Sequence, residues 1–280
     1  MKILVPLDDT PAAGSALATA VHLSKTLRYY VMAMFVNTGG EYSPELTHYG
    51  GIKAMVDKEL QVKGQSVLDS AFITAKAMGC HIEGIISYGI ADTEIINYVH
   101  ENGVVKLVVI GRPASEIALQ MCKNVVSSLK VPVLLVNREA EIKNMLVAVT
   151  NSESSRKAAT FAAFLAEKTG AGITLINVIP DTASILMNYG YISEAPSMDR
   201  RITQLEKDFS ERARVTLSSA LKIINTSAQS VIRSGDAYRE LLNAASQYDL
   251  LVLGASNTNK IGSISGKIIS NKVINTLYVQ

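Results

Sequence analysis

Lys2-Ile3-Leu4-Val5-Pro6-Leu7 is written again, with substitutions, as Asn144-Met145-Leu146-Val147-Ala148-Val149. Lys106-Leu107-Val108-Val109-Ile110-Gly111 returns as Asp249-Leu250-Leu251-Val252-Leu253-Gly254. Val131-Pro132-Val133-Leu134-Leu135-Val136 returns as Ile274-Asn275-Thr276-Leu277-Tyr278-Val279. The offset is 142 positions for the first pair and 143 for the other two, so only small insertions separate the copies. Solenoid units repeat every 20–50 residues or so, and this period is far longer. It predicts two domains of like fold, residues 1–137 and 144–280, joined by the polar stretch from Asn137 to Lys143.

Within each copy, short apolar β-branched runs alternate with helical patterns. Ile3 to Leu7 reads as a strand, followed by Thr10 as a cap for a helix whose first turn holds Pro11. Ala13, Leu17, Ala20, Leu23 and Leu27 recur every three or four residues and lay an apolar stripe along that helix. The remaining strands of the first copy are expected over Tyr30 to Val36, His81 to Tyr88, Leu107 to Ile110 and Val131 to Val136. Helices fall between them, over Lys53 to Met78, Asp92 to Glu101 and Ala118 to Leu129. The second copy repeats this order, with strands near Leu146 to Val149, Ile173 to Val178, Gln229 to Arg233, Leu250 to Leu253 and Leu277 to Val279. Its first helix, from about Ser152 to Lys168, stops at Gly170, and its long helix covers Arg201 to Ile224. Continuous apolar strands alternating with helices predict an α/β fold, a parallel sheet covered on both faces. Ligands of such sheets sit beyond the carboxyl ends of the strands, where the strand order reverses.

Composition narrows the function. The 280 residues are 48% hydrophobic, which excludes a mainly disordered chain. Lys and Arg number 27 against 25 Asp and Glu, so charge gives no reason to expect nucleic acid. The longest apolar runs are of strand length, well below the roughly 20 residues of a bilayer span, so no membrane is expected. The N-terminus reaches Asp8-Asp9 too soon for a signal-peptide core, and a cytoplasmic location is the expectation. Cys80 and Cys122 lack metal or redox spacing and read as buried structural thiols in a reducing compartment. His22, His48, His81 and His100 show no ligand pairing, so no metal is expected. No Gly-x-Ser-x-Gly occurs, and no catalytic residue is assigned.

As a set, several motifs resemble those of the universal stress protein family, in its tandem two-domain form. They are Ile3-Leu4-Val5-Pro6-Leu7-Asp8, Gly89 and Gly235 after each third strand, Val252-Leu253-Gly254, and Gly262-Ser263 before the last strand. The resemblance implies a flavodoxin-like (Rossmann-like) five-stranded sheet of order 3-2-1-4-5 in each half. It also implies an intramolecular pseudo-dimer of the two domains about a pseudo-two-fold axis, through their last strands. Members that bind ATP carry Gly, two residues, Gly, nine residues, then Gly-Ser or Gly-Thr, with an Asp at the end of the first strand facing adenosine. By that resemblance Asp8, Gly254, Gly262 and Ser263 are the candidate cofactor-binding residues.

The chain departs from the pattern in both halves. In the second, Asn257 stands where the next glycine belongs, and only seven residues separate Gly254 from Gly262-Ser263. Thr150 takes the Asp position. In the first, Asp8 is present but the loop reads Gly111-Arg112-Pro113-Ala114-Ser115-Glu116. Each candidate therefore reads in two ways. Asp8 is a ligand contact or a carboxylate at a helix N-terminus. Gly111 and Gly254 contact phosphate or make tight turns after their strands. Gly262-Ser263 holds phosphate or caps a helix, and Lys260 and Lys267 neutralise it or are solvated surface. Arg112, beside Pro113 and near Glu116, reads as part of a surface loop. The stretch Ile185 to Ile192, with Tyr42, His48 and Tyr49 in the first copy, reads as a lid or partner surface, or as a loop folded over the sheet edge.

The expectation is a non-enzymatic stress-response binding or interaction module with degenerate nucleotide sites. A small ligand, a protein partner or a second copy of the chain would occupy its surfaces. The rival is an adenine-nucleotide-binding protein holding ATP or AMP in the second half, with slow ATP hydrolysis as its extreme form.

Overall fold

β1 (Lys2–Leu7) lies between β2 (Tyr30–Asn37) and β4 (Val105–Gly111), all parallel. The structure, a computed structural model, describes residues 1–38, 50–182, 196–224, 227–255, 263–271 and 274–280. The other first-half strands are β3 (Ile82–Tyr88) and β5 (Val133–Val136); the second half supplies β6 (Asn144–Ala148), β7 (Gly172–Ile179), β8 (Ala228–Ser234), β9 (Leu250–Gly254) and β10 (Asn275–Val279). They join in one ten-stranded sheet of order β3-β2-β1-β4-β5-β10-β9-β6-β7-β8. Each half thus has the order 3-2-1-4-5. All neighbours are parallel except β5 and β10, which run antiparallel with Leu134 opposite Leu277. Those two leucines are 143 positions apart, the offset of the repeat, so the pseudo-two-fold axis passes between them.

The helices are α1 (Pro11–Leu27), α2 (Gly50–Ala77), α3 (Ala91–Glu101), α4 (Glu116–Ser128), α5 (Glu153–Thr169), α6 (Pro196–Ile223), α7 (Ala237–Ala245) and α8 (Ser263–Ile269). One sheet face is covered by α1, α2, α5 and α6, whose buried Leu17, Ala71, Ala162 and Leu217 share a core with Leu134 and Leu277. The other is covered by α3, α4, α7 and α8, through Ile95, Val125, Leu241 and Ile268. The alternation along β5 and β10 follows from the strand period of two, which sends successive side chains to opposite faces.

Local chemistry sets the ends of these elements. Thr10 caps α1 by accepting from the Ala13 N–H at 3.3 Å, with Pro11 in the first turn. Gly170 closes α5 in the left-handed region at φ 73°. β5 begins at Val133 rather than Val131, because Pro132 has no N–H for the ladder; only its carbonyl serves, accepting from Val108 N at 3.0 Å. Gly89 and Gly235 both hold positive φ, 145° and 142°, and their N–H groups bond Asn37 O and Ile179 O. The same strand exit is therefore built twice, each time on a residue without Cβ.

Pairing of β1 with β4 stops at Leu4, while its pairing with β2 continues to Leu7. Pro6, lacking an N–H, cannot extend the shorter ladder. β6 parts from β9 in the same way after Val147. Two crevices open at these divergences.

Candidate functional site

The first-half crevice has a volume of about 420 Å³ at the carboxyl ends of β1, β2 and β4. Its walls are largely apolar, with Met34, Phe35, Ile95, Ile110, Ile117 and Met121 among them. Asp8, Thr10, Thr38 and Lys63 are polar groups at its rim. Asp8 Oδ1 accepts from the Thr10 N–H at 2.9 Å and from the Thr10 hydroxyl. The carboxylate is thus held in a turn ahead of α1 while it lines the crevice. Beside it, Lys63 Nζ pairs with Asp9 Oδ2 at 2.8 Å, and that contact holds the Asp9 carboxyl below the ordinary carboxylate range.

At the α4 end of this crevice several backbone donors are taken or absent. The Arg112 N–H bonds Val136 O at 2.7 Å, and Pro113 has none. Ser115 caps α4 by accepting from the Ala118 N–H at 3.2 Å. Glu116 places a carboxylate in the first turn, where it is favourable with the helix dipole and repels an anion.

The second-half crevice, about 230 Å³, is lined by Thr150, Ser152, Ser155, Leu241, Gly254 and Ser265 among others. Its hydroxyls serve its own backbone. Ser155 Oγ accepts from the Thr150 N–H at 2.8 Å, and Ser152 Oγ accepts from the Ser155 N–H at 3.1 Å. Asp8 and Gly254 therefore belong to different crevices. Gly262 lies outside the described residues, as do Lys260, Tyr42, His48, Tyr49 and the stretch from Ile185 to Ile192. Ser263 is the first residue of α8.

Gly111 and Gly254 are set by close packing rather than by a left-handed backbone. Both end strands without positive φ. A Cβ on Gly111 would stand 2.3 Å from the carbonyl carbon and oxygen of Ala12, and one on Gly254 would stand 2.6 Å from Ser154 C and Ser155 N. Each glycine lets the first helix of its half press backbone to backbone against the fourth strand.

Arg112 also departs from its reading as surface. It is 4% exposed, and its guanidinium donates to Ile268 O at 3.2 Å and Thr276 Oγ1 at 3.1 Å, both in the other half. Burial draws its pKa down and pushes the nearby Cys122 thiol up to about 12. Cys122 is buried as expected, whereas Cys80 is half-buried, its thiol near Ser24 and the His81 carbonyl. Lys267 lies 5.9 Å from the Tyr238 ring centroid. Among the described residues no cluster of His, Cys, Asp or Glu could hold a metal, and no helix is long and apolar enough to cross a membrane. Sequence reasoning missed Lys63, Ile95, Ile117 and Met121 of the first crevice; their only sequence signal is placement on the apolar faces or starts of helices.

Two doubly wound α/β halves are fused edge to edge, with a crevice at each switch point. Residues 141–277 match the family model described as Universal stress protein family, so the second half carries the sequence pattern of that family. Among solved structures, a universal stress protein from Archaeoglobus fulgidus DSM 4304 is similar over 100% of this chain and 98% of its own, with a TM-score of 0.69 and 18% identity. The functionally unknown protein PA1789 from Pseudomonas aeruginosa PAO1 is similar over 99% of this chain and 92% of its own, with a TM-score of 0.61 and 13% identity. A sequence search of curated proteins finds no match.

Proposed function

We propose that this chain is a non-catalytic universal stress protein whose working site is the first-half crevice, and that the crevice takes an uncharged ligand of nucleoside size. The observation that carries this reading is the first-half crevice itself, about 420 Å³ with largely apolar walls and the Asp8 carboxylate in its lining, next to an α4 start that carries Glu116 in its first turn. An adenine and ribose would find apolar contact and the Asp8 carboxylate. A triphosphate would meet the Glu116 carboxylate and a helix start whose Ala118 amide is already taken by Ser115. Losing two hydrogen bonds to a charged group, at about 1.5–3 kcal/mol each, weakens binding by two or more orders of magnitude.

The second half is the poorer nucleotide holder. Its crevice is smaller, and the Ser152 and Ser155 hydroxyls that line it bond its own backbone. Thermal-shift measurements with adenosine, AMP and ATP, each with and without magnesium, test the reading, since a ligand of the native state raises apparent stability. Adenosine is expected to raise the midpoint at least as much as ATP, and Ala118→Leu in the crevice wall removes the effect. A shift given only by ATP with magnesium overturns it.

A further inference from the structure

The seam between β5 and β10 joins unlike surfaces. Because Leu134 faces Leu277 on the pseudo-two-fold axis, each seam residue has a counterpart in the other half, and the pairs can be compared. Arg112 and Ala255 are counterparts: their N–H groups bond Val136 O and Val279 O, both at 2.7 Å. Their side chains then diverge. Arg112 crosses the seam to Thr276 Oγ1 and Ile268 O, while Ala255 does not cross at all. The Thr276 hydroxyl is free to accept because it donates its own hydrogen to Ile274 O at 3.2 Å. The counterpart of Thr276 is Val133, which has no acceptor.

A second lock has the same one-sided character. Asn275 is 3% exposed; its Oδ1 accepts from the N–H groups of Asn137 at 2.7 Å and Arg138 at 3.1 Å, and its Nδ2 donates to Arg138 O at 2.9 Å. The counterpart of Asn275 is Pro132, which offers no side-chain hydrogen bond. Two first halves placed on this seam would therefore bury two guanidinium groups against Val133 and leave the Asn137 and Arg138 amides facing Pro132. Two second halves would put Ala255 at both guanidinium positions, leaving two voids beside Tyr278.

We infer that the seam is a heterotypic recognition surface: Arg112 with Thr276, and Asn275 with Asn137 and Arg138, admit a second half to a first half and reject like-with-like pairing. Discrimination of this kind arises as much from unpaired buried groups in the wrong complex as from contacts in the right one. A second copy of the chain is consequently denied the last-strand edge.

The test starts from the full chain carrying a protease site between Glu139 and Ala140. Cleaved protein, half of it isotope-labelled, is unfolded and refolded together, and native mass spectrometry reads the pairs. The result expected is isotope-scrambled pairs of one first half with one second half, with like pairs below about a tenth of the total. Like pairs in statistical proportion, or halves that stay apart, overturn the inference. The intact chain provides a second reading by urea unfolding. Thr276→Val is expected to lower the folding equilibrium constant roughly tenfold or more when Arg112 is present, and less than about threefold in the Arg112→Met background. Equal losses in both backgrounds overturn it.

Discussion

Replacing Gly111 by Ala tests how the crevices are built. The new Cβ would lie 2.3 Å from the Ala12 carbonyl carbon and oxygen and 2.7 Å from Ala13 N, all backbone atoms that no rotamer change can move. Ordinary contact begins near 3.4 Å, so the start of α1 must retreat by roughly 1 Å. That helix is anchored one turn later by Ala16 and Leu17, 0% and 3% exposed, and by Ala20 at 0%. Overpacking of a core costs about 1–3 kcal/mol, and a backbone clash belongs at the upper end. With an m-value of about 3 kcal/mol/M in urea, a loss of about 3 kcal/mol lowers the unfolding midpoint by roughly 1 M. Gly14→Ala, in the same helix, is the control: nothing lies within 4 Å of its added Cβ. It should gain about 0.5–1 kcal/mol from helix propensity alone. A Gly111→Ala midpoint within error of the parent would refute the backbone-to-backbone contact.

Cys122, with its thiol pushed up to about 12 by burial, should resist alkylation at pH 8 until the chain unfolds, while half-buried Cys80 reacts first; mass mapping after a short pulse distinguishes them. Asp9 should titrate below the ordinary carboxylate range, and Lys63→Met should return it upward in an NMR titration. The sign follows from the depressed folded value: the pair stabilises above the unfolded pKa and the contribution disappears as pH falls through the folded one, with a small effect because both groups are exposed. Ser152→Ala removes the α5 cap and should cost about 1 kcal/mol in urea unfolding.

The repeat made most of the architecture legible. Offsets of 142 and 143 between apolar runs place ten strands in two equivalent sets, and β-branched runs with capping residues locate their boundaries to within about two residues. What stayed hidden depends on atoms distant in sequence. Gly111 is glycine because of Ala12, about a hundred positions earlier, and nothing beside Gly111 signals that contact. Arg112 looked solvated because Pro113 and Glu116 are its neighbours in sequence, whereas its acceptors lie in the other half at Ile268 and Thr276. The first-half crevice was under-read for a similar reason. Glycine spacing signals a phosphate loop, but crevice volume is set by apolar side chains such as Met34, Ile95 and Met121, which look like ordinary core.

Native mass spectrometry of freshly purified, intact chain addresses the central claim most directly, because it inventories what the crevices hold without a choice of ligand. The account predicts bare protein or an uncharged adduct of nucleoside size, retained by the parent and lost in Ala118→Leu. A stoichiometric ATP adduct, whether or not Ala118→Leu removes it, would contradict it.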